Sequence, residues 1–152
     1  MKIRTFSLRT WKEIMRDPLN FAFGLGFPLI LLLLLTVIQS NVPVSLFTLD
    51  RLTPGMSVFG LAFMSLFSAT LVARDRESAF LTRLYTTPMR AADFILGYTL
   101  PLLPMALLQS AICYLAAALL GLPLTVHTAA ALLMLVPAAA LFIALGLLCG
   151  SV

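Results

Sequence analysis

Three long stretches without a charged side chain constrain this sequence more than any other feature. They cover residues 18–49, 52–73 and 94–152. A helix needs about 20 mostly apolar residues to cross the hydrocarbon core of a bilayer, so these stretches can hold four transmembrane helices. The whole chain is 61% hydrophobic and 11% charged, whereas a soluble domain carries roughly 25% charged residues. The sequence therefore predicts an all-α, polytopic membrane protein.

The apolar stretches divide into four predicted spans. Pro101 and Pro104 lie early in the third of them and predict a kink there. A cleaved signal peptide is the alternative interpretation of the first span, but its flank contains Glu13 and Asp17 and no small-residue cleavage site follows it. We therefore expect the first span to be retained. The predicted spans are residues 21–38, 55–73, 94–122 and 128–148.

The basic residues predict an orientation. Five Lys and Arg residues precede the first span, and four arginines lie between the second and third spans. Only Arg51 of the ten bases falls elsewhere. Because cytoplasmic loops carry an excess of Lys and Arg, both termini are expected in the cytoplasm, with the chain in the plasma membrane. Topology explains the net charge of +4 better than nucleic-acid binding does.

Residues 2–17 predict an amphipathic helix before the first span. Its bases fall opposite a broad apolar side, which fits a helix lying in the membrane interface. The alternative is an ordinary basic flank that only sets the topology. The predicted membrane-interface residues are Ile3, Phe6, Trp11 and Ile14.

A short cytoplasmic helix is predicted over residues 75–87, between the second and third spans. Two apolar pairs at i and i+4 form one stripe on it, and Pro88 stops it because the residue before a proline avoids the helical region. This stripe either rests on lipid or covers a protein partner. The pairs are Phe80 with Leu84 and Leu81 with Tyr85.

Small residues recur every fourth position in two spans. One set is Gly146 and Gly150, and the other is Ser65, Ala69 and Ala73. Such patterns let helix backbones approach closely. They predict helix packing within the chain or between chains.

Several kinds of chemistry are missing from the sequence. No ionisable side chain lies within the predicted spans, and no G-x-x-x-x-G-K-[ST] phosphate loop occurs. Cys113 and Cys149 have no metal-ligand spacing, and Ser57 with His127 lacks an orienting partner for catalysis. We therefore predict no catalytic, cofactor-binding or metal-binding residues, and no enzymatic activity in this chain.

The run RESAFLTRLYTTP at residues 76–88, followed by Gly97, resembles the signature loop of permease subunits of type-2 ATP-binding cassette exporters, such as multidrug exporters. Arg-Asp-Pro at residues 16–18 and Pro-Gly-Met at 54–56 are similar to the family's entries into its first two spans. The resemblance covers essentially the whole chain in register. The positions that depart from the family pattern are Ala79, Phe80 and Thr82.

The resemblance implies an architecture. Residues 2–17 would be a connecting helix, and residues 75–87 would be a coupling helix that docks on a separate ATPase subunit, which would hold ATP and Mg²⁺. Two permease subunits, identical or different, would enclose the path through the bilayer. The residues implied in docking are Arg76, Glu77, Phe80, Leu81, Arg83, Leu84 and Tyr85, with Pro88 as the helix stop.

Two further expectations follow from the comparison with this family. Its members ordinarily have six spans, so the resemblance implies a fragment or a truncated product here. The alternative function is a four-span membrane anchor or assembly protein whose charged loop binds something other than an ATPase. A pore-forming channel is less favoured because no charged ring or filter-like loop is visible.

Overall fold

A computed structural model describes residues 2–78, 86 and 90–152. The described residues form five helices and no strand, and four of the helices are long and apolar enough to cross a membrane. The predicted fold class, an all-α polytopic membrane protein with an N-terminal amphipathic helix, is confirmed. The helices are α1 Lys2–Arg16, α2 Pro18–Ser40, α3 Leu49–Glu77, α4 Ala91–Leu119 and α5 Val126–Ser151.

Three of the four long helices extend beyond both ends of their predicted spans, and α4 begins three residues earlier than predicted but ends at Leu119 instead of residue 122. The prediction began the second span at residue 55, whereas α3 begins at Leu49 and includes Asp50 and Arg51 in its first turn. At the other end α3 continues to Glu77. Charged residues end an apolar stretch but not a helix, because the i to i+4 backbone hydrogen bonds of a helix do not depend on whether its side chains are charged.

The end of α3 changes the assignment of the next segment. Residues 75–77, which the sequence prediction placed in the coupling helix, form the last turn of α3. Ser78 follows in extended conformation, with its N–H donating to the Arg74 carbonyl. The rest of the predicted coupling helix, residues 79–85 and 87, lies outside the described residues.

Helices α3 and α4 occupy the middle of the bundle. α3 contacts α2, α4 and α5, and α1 packs mainly on α4. The side chains buried in the core come from every helix and include Ile14, Leu61, Tyr98 and Ile143. α2 is the least covered of the four long helices, and its outer face carries exposed Leu, Ile and Phe side chains, as expected for a helix whose solvent is lipid.

The closest helix crossing joins α3 and α5, where the two small-residue motifs meet. A Cβ atom added to Gly146 would lie 2.1 Å from the carbonyl oxygen of Ser65, and one added to Gly150 would lie 2.5 Å from that of Ala69. Ser68 Oγ donates to the carbonyl of Ile143 at 3.3 Å. The packing predicted from these motifs therefore forms within the chain, between backbones that touch directly.

Candidate functional site

Polar contacts concentrate at one end of the bundle, which we call the α1 end. Here α1 lies beside the last turn of α3 and the first turns of α4, and the last turn of α5 contacts α3. Arg74 Nη1 lies 2.8 Å from Asp17 Oδ2 and links α3 to the α1–α2 junction. Arg76 Nη1 donates to the Ser151 carbonyl at 2.7 Å and links α3 to α5. The last turn of α3, which precedes the loop between α3 and α4, is therefore bonded both to the α1–α2 junction and to α5.

Asp75 is the centre of these contacts. Its side chain is only 4% exposed, although it lies in the last turn of α3. Tyr98 Oη of α4 donates to Asp75 Oδ2 at 2.5 Å, and Arg9 Nη2 of α1 donates to Oδ1 at 3.2 Å. A buried carboxylate requires such partners to replace its lost hydration. Asp75 therefore joins three helices, and with Arg9, Glu13 and Tyr98 it forms what we call the Asp75 cluster.

Glu13 completes this cluster from within α1. Its Oε2 lies 3.3 Å from Arg9 Nη2, in an i,i+4 pair. Arg9 thus lies between two carboxylates, one on its own helix and one on α3. This arrangement holds the guanidinium towards the bundle instead of towards bulk solvent.

An aromatic contact fastens α1 to α4 next to the Asp75 cluster. The ring of Phe6 meets that of Tyr98 edge-on at a centroid distance of 5.0 Å and stacks with that of Phe94 at 6.4 Å. A Cβ atom on Gly97 would lie 1.8 Å from Phe6 Cδ1. Gly97, the glycine that follows the signature loop, is therefore where α4 makes room for the ring of α1.

Both ends of the loop between α3 and α4 are fixed by local hydrogen bonds. Ser78 Oγ donates to the carbonyl of Asp75 at 3.0 Å. At the start of α4, the N–H of Arg90 donates to Asp93 Oδ2 at 3.1 Å and closes the first turn as an N-cap does. A force on the loop would therefore reach helix ends that are already ordered.

The predicted interface residues of α1 are partly used by the bundle itself. Phe6 is 6% exposed and Ile14 is fully buried, whereas Trp11 is half-buried against the core. Ile3 lies in α1, and its side chain is outside the described part of the structure. The outward face of α1 instead carries exposed Leu8 and Met15 among its bases. Contact of α1 with lipid stays a prediction, and the face expected to make it is the outward one that carries Leu8 and Met15.

The predicted docking residues are only partly within the described structure. Arg76 and Glu77 are exposed on the last turn of α3. Within the described residues, no three His, Cys, Asp or Glu side chains converge as a metal site requires. The remaining predicted residues lie outside the described structure, namely Phe80, Leu81, Arg83, Leu84, Tyr85 and Pro88.

Substitution Phe6→Ala is expected to release α1 from the bundle. Removal of a buried phenyl ring costs about 3 kcal/mol, which corresponds to on the order of a hundredfold in the docking equilibrium. Hydrogen exchange of the α1 amides, followed by mass spectrometry, should rise accordingly. Leu8→Ala is the matched control because Leu8 is 61% exposed. Equal exchange in the two variants would show that the ring does not hold α1.

Comparison with known proteins gives one family. The family model described as "ABC-2 type transporter" matches residues 1–152. No curated protein and no solved structure matches the chain.

Proposed function

The chain belongs to the ABC-2 type transporter family, and from this premise we propose that it is the membrane-spanning permease subunit of an ATP-driven exporter. A separate ATPase subunit would dock on the loop between α3 and α4 and hold ATP and Mg²⁺. Two permease subunits, identical or different, would enclose the path. The observation that carries the proposal is the set of polar contacts at the α1 end, which surrounds both ends of this loop.

The contacts at the α1 end support a specific route for the movement. A push on the loop acts directly on the last turn of α3 and the first turn of α4. Through the Asp75 cluster the same push reaches α1, and through the hydrogen bond from Arg76 to Ser151 it reaches α5. ATP binding and hydrolysis on the partner would thus move several helices together, because their ends are joined by bonds instead of by lipid contacts alone.

We place the α1 end in the cytoplasm. Exposed bases crowd this end, including Arg4, Lys12, Arg16, Arg74 and Arg90, and such an excess favours the cytoplasmic side. The same side is the one on which an ATPase has access to ATP. The plasma membrane as the location is part of this proposal.

The cargo is proposed from the chemistry of the spans. Leu, Ala and Phe dominate them, and no charged side chain faces the bundle interior away from the α1 end among the described residues. Such a lining suits an amphiphilic drug-like, lipid-linked or peptide cargo. The class of cargo stays a prediction.

Docking is tested by Leu81→Glu combined with Leu84→Glu. Placing two carboxylates on the predicted apolar stripe is expected to abolish association with the ATPase, because a buried charge without a partner is strongly unfavourable. The measurement is affinity purification of the full-length protein from its native membrane, with mass spectrometry and ATPase assay of what accompanies it.

Thr82→Glu is the matched control for that experiment. It adds a carboxylate to the same segment, at the position where the family pattern carries an acid, so the ATPase should still accompany the variant. If the double variant retained as much ATPase as the unchanged protein, the docking site would be elsewhere. If no ATPase accompanied even the unchanged protein, a membrane anchor or assembly role would be favoured.

A further inference from the structure

Gln109 is the least satisfied side chain in the interior of the bundle. It lies on α4, its side chain is fully buried, and neither Oε1 nor Nε2 has a hydrogen-bond partner among the described residues. By contrast, the hydroxyl of the neighbouring Ser110, equally buried, donates to the Ala106 carbonyl at 3.0 Å. Buried polar groups in native structures are nearly always paired, and the hydrocarbon core supplies no water to replace a partner.

The amide of Gln109 occupies a notch in α3. A Cβ atom on Gly60 would lie 1.4 Å from Gln109 Nε2, so the amide fills the space that a side chain would need. The same point lies 3.1 Å from Cγ of Pro28 on α2. The amide of α4 therefore lies against Gly60 of α3, on the side of α3 that faces the Pro28 ring of α2.

An acceptor without its usual donor lies on the facing side of α2. Pro28 is within the helix and has no N–H, so the carbonyl of Gly24, one turn earlier, lacks its helical hydrogen bond. Gly24 is buried and faces α3, because a Cβ atom there would lie 3.5 Å from Cε of Met64. The carbonyl without a donor thus belongs to the turn of α2 that precedes Pro28, and Pro28 faces the same Gly60 position as the unpaired amide.

The helix that carries Gln109 has a place to bend. Pro101 and Pro104 lie within α4 between Tyr98 and Gln109, and each deprives a preceding carbonyl of its donor. Tyr98 is held by Asp75 on one side of these prolines. The part of α4 that contains Gln109 can therefore change its angle while the α1 end stays fixed.

We propose that the described packing is one of two arrangements of α4 against α2, and that Gln109 stabilises the second by donating Nε2–H to the Gly24 carbonyl. In the first arrangement the amide lies unpaired in the Gly60 notch, and in the second the donor and the acceptor satisfy each other. That these two arrangements belong to a transport cycle rests on the proposed permease function. Gln109 is then a positioning residue for the movement.

The test measures the distance between α2 and α4 in the protein alone, in lipid nanodiscs. Spin labels are attached to Leu34→Cys and Leu115→Cys, which replace side chains that are 52% and 63% exposed. Cys113 and Cys149 are replaced by alanine. The labelled protein is diluted with an excess of unlabelled protein so that only distances within one chain are measured, and pulsed electron paramagnetic resonance is expected to give two distances in this background. Because no ATPase is present, the result is independent of whether docking occurs.

Three variants identify the bond. Gln109→Met removes the donor while keeping the side-chain length, and Pro28→Ala gives the Gly24 carbonyl its own helical donor. Each is expected to leave a single distance. Ser110→Ala, which removes a satisfied buried hydroxyl, should keep both. A single distance in the starting background, or two unchanged distances in Gln109→Met or Pro28→Ala, would overturn the proposal.

Discussion

Substitution Gly146→Leu is expected to separate α3 from α5 and to destabilise the bundle strongly in mild detergent. A Cβ atom at this position would lie 2.1 Å from the carbonyl oxygen and 2.8 Å from the carbonyl carbon of Ser65. These are backbone atoms, so no rotamer change can relieve the overlap. Overpacking in a core costs about 1–3 kcal/mol of stability where side chains can adjust. Because backbone atoms cannot adjust in this way, we expect the cost of Gly146→Leu to reach or exceed the upper value.

The buried thiol of Cys113 gives a direct measurement of this effect. Its reaction with a fluorogenic maleimide during heating reports loss of the core, on a Cys149→Ala background that removes the exposed thiol. The unfolding midpoint of Gly146→Leu should fall by many degrees, and that of Gly146→Ala by less.

Gly26→Ala is the matched control for the crossing. Nothing lies within 4 Å of a Cβ atom at this helical position, so the substitution should be neutral or stabilising by up to about 1 kcal/mol. If Gly26→Ala and Gly146→Ala shifted the midpoint equally, the close approach of α3 and α5 would not be the cause.

The spans could be predicted from sequence because their signal is local. A stretch without charge that is long enough to cross a bilayer has few alternatives, and all four such helices form. The helix ends differ from the bounds of the predicted spans. The apolar pattern is interrupted by Asp50, Arg51 and Arg74, but all three lie within α3. A helix can continue past the hydrocarbon boundary as long as its backbone hydrogen bonds continue to form.

The surface buried by α1 could not be predicted from its own residues. The amphipathic pattern shows which side chains avoid water. It does not show whether they are covered by lipid or by protein. Phe6 and Ile14 are buried by the bundle, while Leu8 and Met15 remain exposed. The distinction depends on Gly97, which accommodates the Phe6 ring from a helix about ninety residues further along the chain.

Asp75 shows the same limit for polar groups. The sequence pattern predicts Asp75 at the start of the cytoplasmic helix over residues 75–87. In the structure it is buried at the end of α3 with partners 66 and 23 residues away. Those partners belong to other helices, so their meeting is fixed by how the bundle packs. One signal in the sequence could have indicated burial: Asp75 follows Leu71 by four residues and Ser68 by seven, so it shares a helix face with residues of the second span.

Substitution Asp75→Ala is expected to destabilise the protein by about 3 kcal/mol. Loss of one partner of a buried ion pair typically costs about 3–5 kcal/mol because the other charge is left uncompensated. The lower value applies here, since the Arg9 side chain is 39% exposed and can regain water. The hydroxyl of Tyr98 cannot do so, and its lost acceptor supplies much of the remaining cost. The unfolding midpoint is followed through the Cys113 thiol, as for Gly146.

Two further substitutions separate the charge from the hydrogen bonds. Asp75→Asn keeps an acceptor for Tyr98 and should therefore cost less than Asp75→Ala. Asp17→Ala removes an ion pair with Arg74, whose side chain is 65% exposed, so it should cost no more than about 1 kcal/mol. Equal losses for Asp75→Ala and Asp17→Ala would mean that burial of Asp75 does not determine the strength of the junction. The expected order of stability losses, with that of Asp75→Ala largest, therefore tests whether the Asp75 carboxylate holds three helices together.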